Sequence, residues 1–245
     1  CLGFCKCRYN GDVIHSEFVE GLKEHVNYIT VCPEVEIGLG IPRNPVRLIL
    51  DNDKLELFQP AEDKIHTEAM KQYAADFFSS TGQIHGFILK GRSPSCGIKD
   101  VKVYGRKEKS PAITKGVGIF ASETIQRYPN LPIEEEGRLT NYAIREHFLT
   151  KLFTVFRYQK VKDSNSMSQL VKFHSDHKYL LMAYNQSQSK ILGKIVANHE
   201  KLPFMVVAEQ YENHLGLAFS RQPARTSYIN TFLHIFGYFS EELSD

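Results

Sequence analysis

Arg127-Tyr-Pro-Asn-Leu-Pro-Ile-Glu-Glu-Glu-Gly137 divides the chain. Two prolines and a run of three acids interrupt both the two-residue and the three-to-four-residue spacing of apolar side chains, so the stretch reads as a boundary. On its N-terminal side, short β-branched runs at Tyr28–Val31, Val46–Leu50 and Gly86–Lys90 alternate with helical stretches at Ser16–His25 and Asp63–Thr81. That order predicts a three-layer α/β domain with a mostly parallel sheet over residues 1–132. On its C-terminal side, Leu139–Val161, Ser168–Tyr184, Ser187–His199, Pro203–Phe219 and Ser227–Glu242 repeat apolar residues three and four apart. Residues 133–245 are therefore expected to form an all-helical domain.

The composition fits two ordinary cores. The chain has 245 residues, 42% of them hydrophobic. It lacks both the long apolar run of a membrane span and a charged-then-apolar leader, so a cytoplasmic protein is expected. The chain begins at Cys1, and the residues after it read as the start of a fold, not as the tether of a lipid-anchored cysteine. The last helical stretch runs to the final residues, which leads us to expect further chain beyond Asp245. Five cysteines is an odd number in a chain too large to need disulfide staples, so thiols or metal ligands are expected. The net charge of +2 hides an asymmetry: residues 1–132 carry 17 Lys/Arg against 16 Asp/Glu, residues 138–195 carry 10 against 3. One stretch is strongly basic.

In open α/β sheets, ligands collect at the carboxyl ends of strands. Cys32 ends the Tyr28–Val31 run, Cys96 follows the run ending at Lys90, and Cys1 sits where a short first strand would end. Three cysteines from three loops are thereby placed to share one site, and buried unligated thiols are the competing reading. Structural zinc is disfavoured because CxxC pairs and a fourth ligand are absent. The loop contexts favour a ligand site. Cys32-Pro-Glu-Val35, trailed by Gly38-Leu-Gly-Ile-Pro-Arg43, and Lys90-Gly-Arg-Ser-Pro-Ser-Cys96-Gly97 are glycine- and proline-rich, so backbone N–H groups can approach sulfide or thiolate closely.

Cys1-Leu2, Arg8-Tyr-Asn-Gly11, Cys32-Pro-Glu-Val35 with its trailing Pro42-Arg43, and Ser93-Pro-Ser-Cys-Gly97 resemble the thiouracil desulfidase family in order and approximate separation, over roughly residues 1–130. The resemblance implies an iron–sulfur enzyme. In that family the matching cysteines hold a 4Fe-4S cluster whose fourth iron has no protein ligand, and the enzyme removes sulfur from thiouracils. Carried over, Cys1, Cys32 and Cys96 are the metal ligands, Glu34 and Ser93 the catalytic groups, and Arg8, Tyr9, Arg43 and Ser95 the substrate-binding positions. Cys5 and Cys7 are read as incidental thiols. Replacement of Cys1 as a ligand, or sulfur scavenging, are the alternatives for them.

Arg138-Leu-Thr-Asn-Tyr142, Arg145-Glu-His-Phe148 and Phe173–Ala183 resemble a helical domain found behind desulfidase domains. Fusions of this pairing are associated with sulfur removal from 4-thiouridine in transfer RNA, so the resemblance implies a transfer-RNA or thiouridine substrate released as uridine and hydrogen sulfide. Helical spacing places Arg138, Tyr142 and Arg145 on one face, and His174, His177 and Lys178 on the next helix, giving an RNA-binding platform for phosphates and bases. A solvated cationic surface is the competing reading. The expected mechanism has the thiocarbonyl sulfur on the open iron, Glu34 activating water and Ser93 hydrogen-bonding the base or the departing sulfur. Two other classes compete: a desulfidase of free thiobases with a helical dimerisation domain, and a non-catalytic iron–sulfur sensor.

Overall fold

A computed structural model describes residues 2–105 and 110–239, so the ligand assignment of Cys1 lies outside the described residues. Contacts divide the chain into two compact units, Cys1–Phe148 and Leu149–Asp245.

The first unit is α/β. Ser16 caps α1 (Glu17–Leu22) through its Oγ, which accepts from Val19 N, and Glu17 and Glu20 complement the positive end of the helix. A helical turn follows at Val35–Leu39. Strands β1 (Arg47–Asp51), β2 (Lys54–Gln59) and β3 (Lys64–Ile65) lead into α2 (Thr67–Ser80). Then come β4 (Phe87–Leu89), β5 (Val101–Tyr104), β6 (Ala112–Gly116), α3 (Ile119–Arg127) and β7 (Ile133–Glu135).

The main sheet has the order β3-β2-β1-β5-β6, and β4 and β7 form a separate two-stranded sheet. Among the described residues parallel pairing is limited to β1 with β5 and β4 with β7; the other ladders are antiparallel, so the sheet is mixed and not mostly parallel as expected. The cause is local. Asn52 and Asp53 both adopt left-handed backbone, with φ of 48° and 61°, and this two-residue turn folds β2 back onto β1. Residues 28–31 lie outside both sheets. Leu48, Leu57, Met70, Val101, Val103 and Phe120 close the core between sheet and helices, each such side chain contributing about 1.5–3 kcal/mol on burial.

The acidic run does not end the domain. Ile133–Glu135 pairs with Phe87–Leu89, and Phe148 packs its ring 6.5 Å from Phe18, so by contacts the first unit runs into α4 (Tyr142–Asp163).

The second unit is all-helical, as expected from the spacing: the remainder of α4, then α5 (Met167–Tyr184), α6 (Gln186–Ala197), α7 (Phe204–Ala218) and α8 (Arg225–Phe236). Ser166 and Asn185 cap α5 and α6, and Asn198, with φ of 43°, ends α6. Tyr158 stacks on Tyr211 at 5.5 Å and donates from its hydroxyl to the Ala208 carbonyl, within a core that includes Leu170, Phe173, Leu181 and Leu192. No helix among the described residues is long and apolar enough to cross a membrane.

Candidate active site around Glu34

Cys32 does not end a strand. Its carbonyl accepts from Val35 N and Glu36 N, so it opens the helical turn that lifts Glu34 out of the chain. Glu34 is the hub of the site. Its Oε2 accepts from Arg43 Nε at 2.9 Å and Nη2 at 2.6 Å, while its Oε1 accepts from Ser95 Oγ at 2.9 Å and Ser93 Oγ at 3.4 Å. The structure thereby joins the 32–43 and 91–98 segments through one carboxylate.

The Arg43 side chain is only 4% exposed, and its Nη1 also donates to the carbonyls of Cys7 at 3.0 Å and Gly40 at 3.1 Å. A guanidinium committed to three acceptors through four hydrogen bonds is not open to a substrate, so its substrate-binding assignment is replaced by a role in fixing Glu34. Ser95 is likewise fully buried, and it orients Glu34 instead of lining an open surface. Tyr9 is exposed, with its carbonyl accepting from Arg43 N at 2.8 Å, and Arg8 lies over the Tyr9 ring and pairs with Asp12 at 3.9 Å. These two remain at an accessible edge beside Arg43.

The Cys96 loop is built by backbone contacts. Ser93 Oγ accepts from Ser95 N at 3.2 Å and Cys96 N at 3.1 Å, Gly97 N donates to Ser93 O, and the N-terminal turn of α3 docks beneath, with Ala121 N donating to Ser95 O. Cys96 follows β4, as strand-end placement expects. Burial pushes the Cys96 thiol up, with the Glu34 and Cys32 charges adding to the shift, and burial pushes Cys32 up to about 11. Cys32 Sγ donates to the Cys7 carbonyl at 3.6 Å, so buried Cys7 belongs to the same neighbourhood whereas Cys5 is exposed.

Sequence reasoning missed Glu135, Glu136 and Lys90. Glu135 Oε1 accepts from Ile98 N at 2.8 Å, Glu136 Oε2 accepts from Gly91 N at 2.7 Å, and Lys90 Nζ donates to Glu136 Oε1. Acids adjoining an apolar strand segment, Pro132-Ile133, were the available signal.

The expected RNA platform is partly dismantled. Arg138 precedes α4 in a short 3-10 turn and pairs with Glu134 at 2.6 Å, and Arg145 lies over the Tyr142 ring with Nη1 on the Leu139 carbonyl. His177 is buried, stacked on Phe173 at 4.1 Å with Nδ1 on the Phe173 carbonyl, and His174 bonds Tyr211 Oη at 3.0 Å. Both imidazoles face the helical interior, and only Lys178 of that stripe is exposed.

Burial holds both histidines below the usual 6.5. Because the unfolded chain then takes up protons that the folded chain refuses, their contribution is intact above about pH 6.5 and declines as pH falls below it. Thermal unfolding followed by circular dichroism is expected to show this decline, and His177→Gln is expected to flatten it.

A family model described as 2-thiouracil desulfurase matches residues 1–136, and one described as a protein of unknown function, DUF1722, matches residues 178–245. The uncharacterized protein YbbK of Bacillus subtilis (strain 168) is 31% identical over 105 residues, which is 40% of this chain and 69% of that protein. The solved structure of the 4Fe-4S-dependent thiouracil desulfidase TudS is similar with a TM-score of 0.40 and 23% identity, covering 57% of this chain and 89% of that one. The desulfurase match takes in more than half of the chain and every residue that meets Glu34, and the chain belongs to the 2-thiouracil desulfurase family.

Proposed function

We propose that the chain is a desulfidase of thiolated uracil, acting on 4-thiouridine in transfer RNA and working with a 4Fe-4S cluster held by Cys1, Cys32 and Cys96. The observation that carries the chemistry is the double fixation of Glu34, with Arg43 on one oxygen and two serine hydroxyls on the other. The donor set fits the cluster: Cys32 and Cys96 are half-buried neighbours close to Glu34, and cysteine thiolates are the usual ligands of iron–sulfur clusters. Family membership supports the same reading.

When bound, such a cluster with one iron free of protein ligands supplies Lewis-acid binding of a thiocarbonyl sulfur. The chain's residues supply the proton handling. Arg43 locks Glu34 Oε2, leaving Oε1 as the atom that takes a proton from water attacking carbon. Ser93 Oγ, already accepting two backbone N–H bonds, directs its hydrogen toward Oε1 and relays a proton between Glu34 and the base. Ser95 keeps Oε1 turned toward that hydroxyl. As the carbon–oxygen bond forms the carbon–sulfur bond breaks, and both water protons, one of them carried by Glu34, end on the departing sulfide as hydrogen sulfide, so this hydrolysis needs no net electron transfer.

The excess of 10 Lys/Arg over 3 Asp/Glu in residues 138–195 supports an RNA substrate. Exposed Arg157, Lys160, Lys178, Lys190 and Lys194, with Arg145, replace the inward-facing histidines as the expected phosphate contacts. A second reading, in which the helical unit serves dimerisation and the substrate is free thiouracil, is favoured by the apolar side chains that α8 exposes, among them Phe232 at 58% and Leu233 at 63%. Mass spectrometry of transfer-RNA nucleosides after anaerobic incubation with the reconstituted enzyme separates the two. Loss of 4-thiouridine with matching gain of uridine is expected. Turnover of free thiouracil with transfer RNA untouched would select the second reading.

A further inference from the structure

Glu135 and Glu136 are 6% and 8% exposed, burial that carboxylates tolerate only with committed partners. Their partners lie at the two ends of one loop. Glu136 Oε2 accepts from Gly91 N at 2.7 Å, with Lys90 Nζ on its other oxygen, at the loop's entry. Glu135 Oε1 accepts from Ile98 N at 2.8 Å and Lys99 N at 3.4 Å at its exit. A Cβ at Gly91 would stand 3.0 Å from Glu135 Oε2, so entry and exit are drawn against the same pair of acids. Between them the loop carries Ser93, Ser95 and Cys96, the groups that meet Glu34 or the proposed cluster.

We propose that Glu135 and Glu136 are positioning residues that hold the 91–98 loop closed, setting the Cys96 thiol and the Ser93 and Ser95 hydroxyls against Glu34. What the held loop does rests on the desulfidase reading; that it is held does not. β7 places the acids by pairing with β4, the strand that feeds the loop, so clamp and loop share one two-stranded frame. Charge-assisted bonds from backbone N–H groups to a buried carboxylate are strong, and their loss exposes unpaired donors at both loop ends.

The test uses the full chain, anaerobically reconstituted, as wild type, Glu135→Ala, Glu135→Gln and Glu136→Ala. Amide hydrogen exchange of peptides spanning residues 91–99 is compared with that of β1, and the rate of iron loss to a ferrous chelator is read on the same samples. In both Ala variants, exchange in 91–99 and iron loss are expected to accelerate about tenfold or more while β1 is unchanged. Glu135→Gln, which keeps a carbonyl acceptor for Ile98 N and Lys99 N, is expected to recover most of the wild-type behaviour. Equal acceleration in β1 would reduce the acids to general stability, and a faster loop with unaltered iron loss and kcat would remove the positioning role. A wild-type chain that takes up no iron would sink the desulfidase reading, while the exchange contrast would still decide whether the acids hold the loop.

Discussion

The Glu34→Gln variant is expected to load iron and to lose about 100- to 10,000-fold in kcat, the range for removing a general acid–base group. The amide keeps the size of the side chain, and its single carbonyl oxygen can serve either Arg43 or the serine hydroxyls but not both. It cannot take the proton that Oε1 takes. Arg43, 4% exposed, is left with its Cys7 and Gly40 carbonyls but without its counter-charge, and breaking a buried pair costs up to about 3–5 kcal/mol. A thermal melt on the same sample therefore separates lost stability from lost chemistry. Arg43→Lys should show the reverse balance, with a smaller fall in kcat and a larger fall in stability, because a single ammonium cannot span Glu34, Cys7 and Gly40. A Glu34→Gln enzyme within about threefold of wild-type kcat would make Glu34 a structural anchor only.

The Gly118→Ala variant is expected to lose both the Cys96 site and activity. A Cβ at Gly118 would lie 2.5 Å from the Ser95 carbonyl carbon and oxygen and 2.9 Å from Cys96 N. These are backbone atoms, so no rotamer change can relieve the clash. Gly118 N also donates to Gly97 O, and the next turn's Ala121 N donates to Ser95 O, which ties the start of α3 to the loop. Either the loop lifts off the helix or α3 tilts, at about 1–3 kcal/mol or more for overpacking. Iron content and sulfide release should fall together while the helical content of the second unit persists. Gly137→Ala, where the added Cβ meets nothing within 4 Å, is the control and should lie within about 0.5 kcal/mol of wild type.

The second unit was the most legible part of the sequence, because apolar residues three and four apart can do little except form packed helices, and Ser166 and Asn185 mark helix starts in the way capping chemistry requires. The sheet was harder to read. Val46–Leu50 was recognisable as a strand, but the parallel expectation overlooked Asn52-Asp53, whose tolerance for left-handed backbone makes a tight antiparallel hairpin. Tyr28–Val31 has strand composition yet joins no sheet, since β-branched content says nothing about a partner. The Cys32, Glu34 and Ser93–Cys96 segments could be identified from their glycines, prolines and family motif as loops that meet in space. Which groups face the substrate could not, because a long Arg43 side chain at the trailing Pro-Arg is as able to reach inward to Glu34 as outward. Helical spacing put His174 and His177 beside Lys178, but a stripe has two flanks, and packing on Phe173 and Tyr211 turned the imidazoles inward. Glu134–Glu136 looked like a solvated linker because charge in sequence reads as surface, whereas backbone donors at Gly91 and Ile98 made burial possible.

Half-buried Cys32 and Cys96 are expected to hold an iron–sulfur cluster on which sulfur removal depends. Iron and acid-labile sulfide, determined on anaerobically reconstituted wild type, Cys32→Ala and Cys96→Ala, decide this when sulfide release from a thiouracil is measured on the same samples. About four irons per chain are expected in the wild type, with cluster and activity lost together in both variants. An iron-free chain turning over at the full rate would mean that sulfur removal needs no cluster.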